Sequence, residues 1–105
     1  MASSPTSRSK AHMESLGYRV AIVEHWNSFT RRRQDLFGII DLLGVGETGT
    51  LAVQATSGTN VSSRVKKIGE SEAIGDIRKA GWAVQVWGWT KGKNGRYTLR
   101  VVDVS

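Results

Sequence analysis

The chain has 105 residues, of which 39% are hydrophobic and 23% charged, and these fractions exclude a wholly disordered protein. It contains no cysteine, which excludes a disulfide framework and a thiolate zinc site. Fifteen lysines and arginines against nine acidic residues give a net charge of +6, which favours a polyanionic partner such as nucleic acid.

Length and hydropathy set the expected organisation and location of the chain. At this length we expect one domain, residues 1–105, with a modest hydrophobic core. No apolar run is long enough to span a bilayer, and no signal-peptide core follows Met1. The sequence therefore predicts a cytoplasmic protein that does not contact a membrane.

The first half of the sequence predicts one helix and three strands. Glycine marks the end of the helix, alternating apolar residues mark the first strand, and two apolar runs flank a glycine-rich turn. In chain order we expect a polar start at 1–6, a helix at 7–16, a strand at 18–23, an arginine-rich loop at 27–34, and a hairpin at 34–57 with its turn at 44–49.

The second half predicts helical segments and a second hairpin. An apolar stripe of helical period is interrupted at Gly69, and Asn94-Gly95 is a strong signal for a tight turn between two strands. In chain order we expect a helix from about 61 to 69, a helical segment at 73–80, a strand at 82–89, a turn at 91–96 and a strand at 97–104. The order α-β-β-β-α-β-β predicts an α/β fold with a mixed central sheet flanked by helices.

Polar side chains interrupt both strands of the first predicted hairpin. Asp41 lies within Ile39-Ile40-Asp41-Leu42-Leu43, a run that otherwise has the composition of a buried strand. Gln54 and Thr56 alternate with apolar residues on the next strand, so both point to one face of the sheet. A desolvated carboxylate is costly without a partner, and a metal ion is one common partner. The alternative is a buried aspartate that caps a turn.

The order helix-βββ-α-β, with Gly38-Ile39-Ile40-Asp41 on the second strand and Gln54-Ala55-Thr56 on the third, resembles a PD-(D/E)xK nuclease domain. The resemblance covers residues 7–89, and Holliday-junction resolvases and phage-encoded VRR-type nucleases share this size and order. It implies a restriction-endonuclease-like fold and metal-dependent hydrolysis of DNA. It also implies Mg²⁺ or Mn²⁺ held by the two acidic positions of the motif, with a lysine supporting the attacking water or the transition-state charge.

Two positions depart from the family motif. Gln54 replaces the second acid, and its amide oxygen can bind a hard cation but brings no charge. Thr56 replaces the lysine, and a hydroxyl can orient water but cannot offset transition-state charge. On the following helix, Arg64 and Lys67 lie close enough to the apolar stripe to supply the missing cation, whereas Lys66 points away. The alternative is that both are solvated surface cations.

A metal site of this type needs a further carboxylate, because one aspartate and one amide hold Mg²⁺ poorly. Glu24, at the end of the strand next to the hairpin, is the first choice. Asp35 is its rival on the approach to the second strand, and Glu14 is a third option because related resolvases place a glutamate on the first helix. Otherwise Glu24 is a surface carboxylate paired with a nearby arginine.

Basic clusters supply candidate contacts to DNA phosphates, which position the nucleic acid without reading its sequence. As an alternative, such clusters serve only solubility. The candidate phosphate-binding residues are Arg31, Arg32, Arg33, Lys66, Lys91, Lys93 and Arg96.

These features together predict a Mg²⁺- or Mn²⁺-dependent DNA endonuclease, with branched or junction DNA as one substrate class. Asp41, Gln54 and Glu24 would bind the metal, Thr56 would orient water, and Arg64 or Lys67 would stabilise developing charge. Cutting both strands of a duplex needs two sites, which is compatible with a homodimer. The missing acid and lysine favour an alternative, a nucleic-acid-binding module that is catalytically weak or inactive. A second alternative is an assembly protein whose tryptophans and basic loops contact a protein partner.

Overall fold

A mixed five-stranded sheet forms the centre of the molecule, and the predicted α/β class is confirmed. The computed structural model describes residues 4–105, so the first part of the predicted polar start, residues 1–3, lies outside the described residues. The elements are α1 (Pro5–Ser15), β1 (Arg19–Ile22), β2 (His25–Asn27), β3 (Arg32–Gln34), β4 (Leu42–Gly46), β5 (Gly49–Ser57), a 3₁₀ turn (Gly58–Asn60), α2 (Val61–Gly69), α3 (Ile74–Lys79), β6 (Ala83–Lys91) and β7 (Tyr97–Asp103).

The strand order in the large sheet is β1-β4-β5-β6-β7. Strands β4 and β5 form the predicted antiparallel hairpin, whereas β5 and β6 run parallel and are connected through α2 and α3. Ser57 pairs with Trp89 near the ends of these two parallel strands. The carboxyl ends of β5 and β6 therefore lie at one edge of the sheet, and side chains that follow them converge there.

Helices cover both faces of the sheet. Met13 of α1 packs with Leu42, Val53 and Trp87 on one face. On the other face, the apolar stripe of α2 and α3 packs against Ala52, Val84 and Val86, and this stripe consists of Val61, Ile68, Ile74 and Ile77. Since Gln54 and Thr56 alternate with Val53, they point to the face that α2 covers. Among residues 4–105, no helix is long and apolar enough to cross a membrane.

Two glycines allow α2 to lie close to β6. A Cβ atom at Gly88 would collide with Cγ2 of Val61, the first residue of α2. A Cβ atom at Gly58 would collide with Oγ1 of Thr90 on the neighbouring strand. The start of α2 is therefore seated directly on the backbone of β6.

The arginine-rich segment is not the loop that the sequence predicts. Strands β2 and β3 pair antiparallel with Trp26 opposite Arg33, and they form a separate two-stranded sheet. The Asn27 side chain explains the turn, because its Oδ1 accepts hydrogen bonds from the backbone N–H groups of Phe29 and Thr30 at 2.9 and 3.2 Å. Turns of this kind satisfy the backbone N–H groups with a nearby side chain. They do not require a hydrophobic pattern, so the sequence pattern did not predict the hairpin.

Several predicted boundaries also differ. Helix α1 begins at Pro5 rather than at residue 7, because Ser4 caps it by accepting the N–H of Ser7 at 3.1 Å. Strand β4 begins at Leu42, so Asp41 precedes the strand that was expected to contain it. The β4–β5 turn is shorter than 44–49, since Gly46 pairs with Gly49. The observed element order contains the β2–β3 hairpin, which is absent from the predicted order α-β-β-β-α-β-β.

Candidate functional site

Three carboxylates converge beside the large sheet. One oxygen each from Glu24, Asp35 and Asp41 can be chosen so that all three atoms lie within 4.8 Å of one another. Asp41 is held between two neighbouring segments, since its N–H donates to the Val53 carbonyl at 3.0 Å and its own carbonyl accepts the N–H of Val23 at 2.8 Å. Asp41 is 3% exposed, so this carboxyl group lies inside the protein.

Gln54 lies directly against Asp41. Its Nε2 donates a hydrogen bond to Asp41 Oδ2 at 2.7 Å, and the backbone N–H of Ala55 donates to the same oxygen at 2.9 Å. The other amide atom, Gln54 Oε1, is buried and has no hydrogen-bond partner among residues 4–105. An unsatisfied buried acceptor costs about 1–3 kcal/mol, and a cation would satisfy it.

The environment of Asp41 favours its protonated form. Burial is the main cause, the neighbouring Asp35 adds to it, and the negative charge of Glu24 acts in the same direction. The hydrogen bond from the Ala55 N–H opposes them, and the net result raises the pKa of Asp41 to about 8. At neutral pH the metal-free protein therefore retains a proton that a divalent cation would displace.

Cationic side chains line the same cleft. Lys67 Nζ lies 3.6 Å from Asp35 Oδ2, and Arg33 Nη1 lies 3.4 Å from Glu24 Oε1. Arg64, one helical turn before Lys67, also lines the cleft, and its Nε is buried without a hydrogen-bond partner in the described chain. Lys66 is exposed and does not line the cleft. The positive charge at the cleft thus comes from α2, which carries Arg64 and Lys67, and from β3, which carries Arg33.

The cleft has a volume of about 500 Å³ and is open to solvent on one side. Thr56 and Ser57, at the end of β5, form part of its wall. The N-terminal turn of α1 forms another part, where Thr6 Oγ1 donates to Glu24 Oε1 at 3.1 Å.

All six predicted catalytic residues line this cleft, and they are Glu24, Asp41, Gln54, Thr56, Arg64 and Lys67. Glu14 is not among them, because it lies on α1 and pairs with Lys10 at 3.1 Å. Of the predicted phosphate-binding residues, Arg33 reaches the cleft. The others are exposed on the β2–β3 hairpin, on α2 and at the β6–β7 turn, and they are Arg31, Arg32, Lys66, Lys91, Lys93 and Arg96.

Glu24 and Asp35, which the sequence predicts as alternatives, both lie in the cluster. His25 pairs with Gln34 across the β2–β3 hairpin. Glu24 directly precedes His25 and Asp35 directly follows Gln34, so this pairing brings Glu24 and Asp35 close together. Recognition of the Asn27 turn in the sequence would have predicted this proximity. The predicted alternative for Glu24, a pairing with a nearby arginine, is also present, because Arg33 Nη1 lies 3.4 Å from Glu24 Oε1.

The oxygen atoms of the cleft would fit a hard divalent cation. The three clustered carboxylates are the oxygen donors that Mg²⁺ and Mn²⁺ prefer, and the amide that contacts Asp41 offers a further oxygen, Gln54 Oε1, without a partner in the described residues. No protein-family model, curated protein or solved structure matches this chain. The chemistry of the cleft is therefore the basis for assigning a function.

Proposed function

We propose that the protein is a Mg²⁺- or Mn²⁺-dependent DNA endonuclease of the PD-(D/E)xK type. The observation that supports it most is the shared cleft, in which three carboxylates and an unsatisfied amide oxygen lie beside the cationic side chains of α2. Carboxylates alone would repel a phosphodiester, and cations alone would not bind a metal. Their combination suits a metal ion bound together with a phosphate.

Each residue has a defined part in this chemistry. Asp41, Glu24, Asp35 and Gln54 Oε1 would hold the metal, which when bound would acidify a water molecule and neutralise charge on the phosphate. The Thr56 hydroxyl lines the cleft and would orient the attacking water. Arg64 and Lys67 would stabilise the negative charge that develops on the phosphoryl oxygens, which is the part of the family's lysine.

The net charge of +6 supports DNA as the partner. The basic β6–β7 turn follows the parallel pair β5–β6 at the edge where Thr56 and Ser57 line the cleft. The β2–β3 hairpin presents Arg31 and Arg32 to solvent beside the cleft residue Arg33. A duplex lying across the cleft would meet basic side chains on two sides.

A second candidate function is nucleic-acid binding without catalysis. Its support is the absence of the motif lysine at Thr56 together with an amide at position 54. Both candidates bind DNA, and they differ only in metal-supported cleavage. A cleavage assay therefore distinguishes them.

The proposal is tested by incubating the protein with junction, flap and linear DNA in Mg²⁺ or Mn²⁺, with a chelator as the negative control. We expect cleavage only with metal.

Gln54→Glu replaces a neutral ligand with an anionic one, so it should lower the metal concentration at half-maximal rate by roughly 10-fold. The same variant adds a fourth carboxylate to the cluster, so it should melt at a lower temperature than wild type in chelator. Equal metal dependence in the two proteins would remove Gln54 from the ligand set.

DNA binding by the hairpin is tested by its salt dependence. Replacing Arg31 and Arg32 with alanine should lower the magnitude of the slope of log K against log salt by roughly 1.8, because each phosphate contact contributes about 0.9. Arg33 is left in place because it contacts Glu24. The matched control is Arg19→Ala with Lys79→Ala, two exposed cations at the opposite edge of the sheet. A slope that changes equally in both double variants would exclude a local contact.

A further inference from the structure

A second, smaller pocket lies on the β2–β3 hairpin. It has a volume of about 270 Å³ and is lined by Ile22, Glu24, His25, Trp26 and Arg33. Glu24 and Arg33 also line the carboxylate cleft, so the two cavities share a wall. A group bound in this pocket would lie next to a group bound in the cleft.

The pocket has an aromatic and apolar surface that the fold leaves exposed. Trp26 is 61% exposed, and Ile22 is 50% exposed. Because Trp26 pairs directly with Arg33 across the hairpin, the two side chains lie on the same face. Phe29, at the turn of the hairpin, is 98% exposed. Large aromatic side chains are normally buried, and two on one short hairpin indicate a binding surface.

The charges around these aromatic residues favour a nucleobase over an apolar protein segment. Three consecutive arginines, Arg31 to Arg33, belong to the same hairpin, and an apolar partner would have to desolvate them without compensation. Aromatic side chains combined with a positively charged groove are the usual binding surface for single-stranded nucleic acid, in which bases stack and phosphates pair with the cations.

From this juxtaposition we infer that the hairpin pocket binds an unpaired nucleobase stacked on Trp26, next to the nucleotide whose phosphate occupies the cleft. The inference deepens the proposed function and rests on it for the position of the phosphate. Away from the ends of a duplex both faces of each base are covered by neighbouring base pairs, so Trp26 has no face to stack on. The substrate class is therefore DNA with an unpaired stretch at the site, such as a single-stranded tail, a flap or a branch.

Binding in chelator tests this inference separately from catalysis. Fluorescence anisotropy would compare a blunt duplex with the same duplex carrying a single-stranded tail. Wild type should bind the tailed DNA more tightly. Trp26→Leu should weaken that binding roughly 5- to 150-fold, since one base–aromatic stack accounts for that range, and it should leave blunt-duplex affinity and the salt slope unchanged. Trp26→Phe should retain most of the affinity.

Leu16→Ala is the matched control, because Leu16 is 58% exposed and lies beside the β4–β5 turn at the other edge of the sheet. It should bind both DNA molecules as wild type does. Equal wild-type affinity for tailed and blunt DNA, or an equal loss for both in Trp26→Leu, would overturn the inference. Metal-dependent cleavage that persists in that case would leave the nuclease proposal intact. Preferential binding of tailed DNA without cleavage of any substrate would instead support the base pocket and reject the nuclease.

Discussion

Replacing Asp41 with asparagine is expected to lower metal-supported cleavage by at least about 1,000-fold, which corresponds to about 4 kcal/mol of transition-state stabilisation. Asparagine has nearly the same shape, and its Oδ1 can accept the hydrogen bonds that Gln54 and Ala55 donate to Asp41. The substitution therefore removes the anionic ligand and retains the packing. Initial rates in Mg²⁺ and Mn²⁺ measure the effect, with DNA affinity in chelator as evidence that binding is unchanged.

Asp76→Asn is the matched control for this substitution, because Asp76 is an exposed carboxylate on α3. It should cleave at the wild-type rate. Calorimetric titration with Mn²⁺ provides a second measurement, in which Asp41→Asn should bind far more weakly than wild type. If wild type and Asp41→Asn bind Mn²⁺ equally weakly and neither cuts DNA, the nuclease proposal fails. A binding module would then be the better description.

Without metal, the protein is expected to become less stable as the pH rises from 5.5 to 8.5. The pKa of Asp41 is about 8 in the folded protein, compared with 3.8 for an ordinary aspartate. The folded state therefore binds this proton more tightly than the unfolded state. The resulting stabilisation is complete below pH about 4 and is lost as the pH rises through about 8. We expect the loss to be on the order of a few kcal/mol, or a decrease of roughly 10 °C in Tm.

Thermal unfolding in chelator across this pH range measures the effect. Asp41→Asn should show a much flatter profile, because asparagine does not titrate, and it should melt above wild type at pH 8.5. Added Mn²⁺ should raise the Tm of wild type more at pH 8 than at pH 5.5, since metal and proton compete for the same carboxylate. Parallel profiles for wild type and Asp41→Asn would show that Asp41 is not the titrating group.

The sequence predicted the parts of the site that depend on strand alternation. Gln54 and Thr56 share a face because β5 is regular, and Asp41 stands out because its neighbours are apolar. The helical period of α2 likewise predicted that Arg64 and Lys67, rather than Lys66, would reach the cleft. These relations are local and depend only on the geometry of one element.

The long-range relations were harder to predict. Glu24 and Asp35 lie in one cluster because the β2–β3 hairpin brings them together. The turn of this hairpin is fixed by the Asn27 side chain rather than by a hydrophobic pattern. The raised pKa of Asp41 depends first on its burial and then on the proximity of Asp35 and Glu24, which come from separate segments. The hairpin pocket required the register that sets Trp26 opposite Arg33. Periodicity contains no information on any of these pairings.

The close contact of α2 with β6 fixes the spacing between the side chains that α2 and the sheet contribute to the cleft. A side chain at Gly88 would collide with Val61, and one at Gly58 would collide with Thr90. A shift of α2 away from β6 would relieve either contact, and Arg64 would move with the helix. The Gln54 and Asp41 side chains would stay with the sheet, so the two halves of the cleft would separate. A displacement of about 1 Å is enough to reduce catalysis about 100-fold when reacting groups must be aligned. The alignment of the two sides of the cleft therefore depends on the absence of a side chain at Gly58 and Gly88.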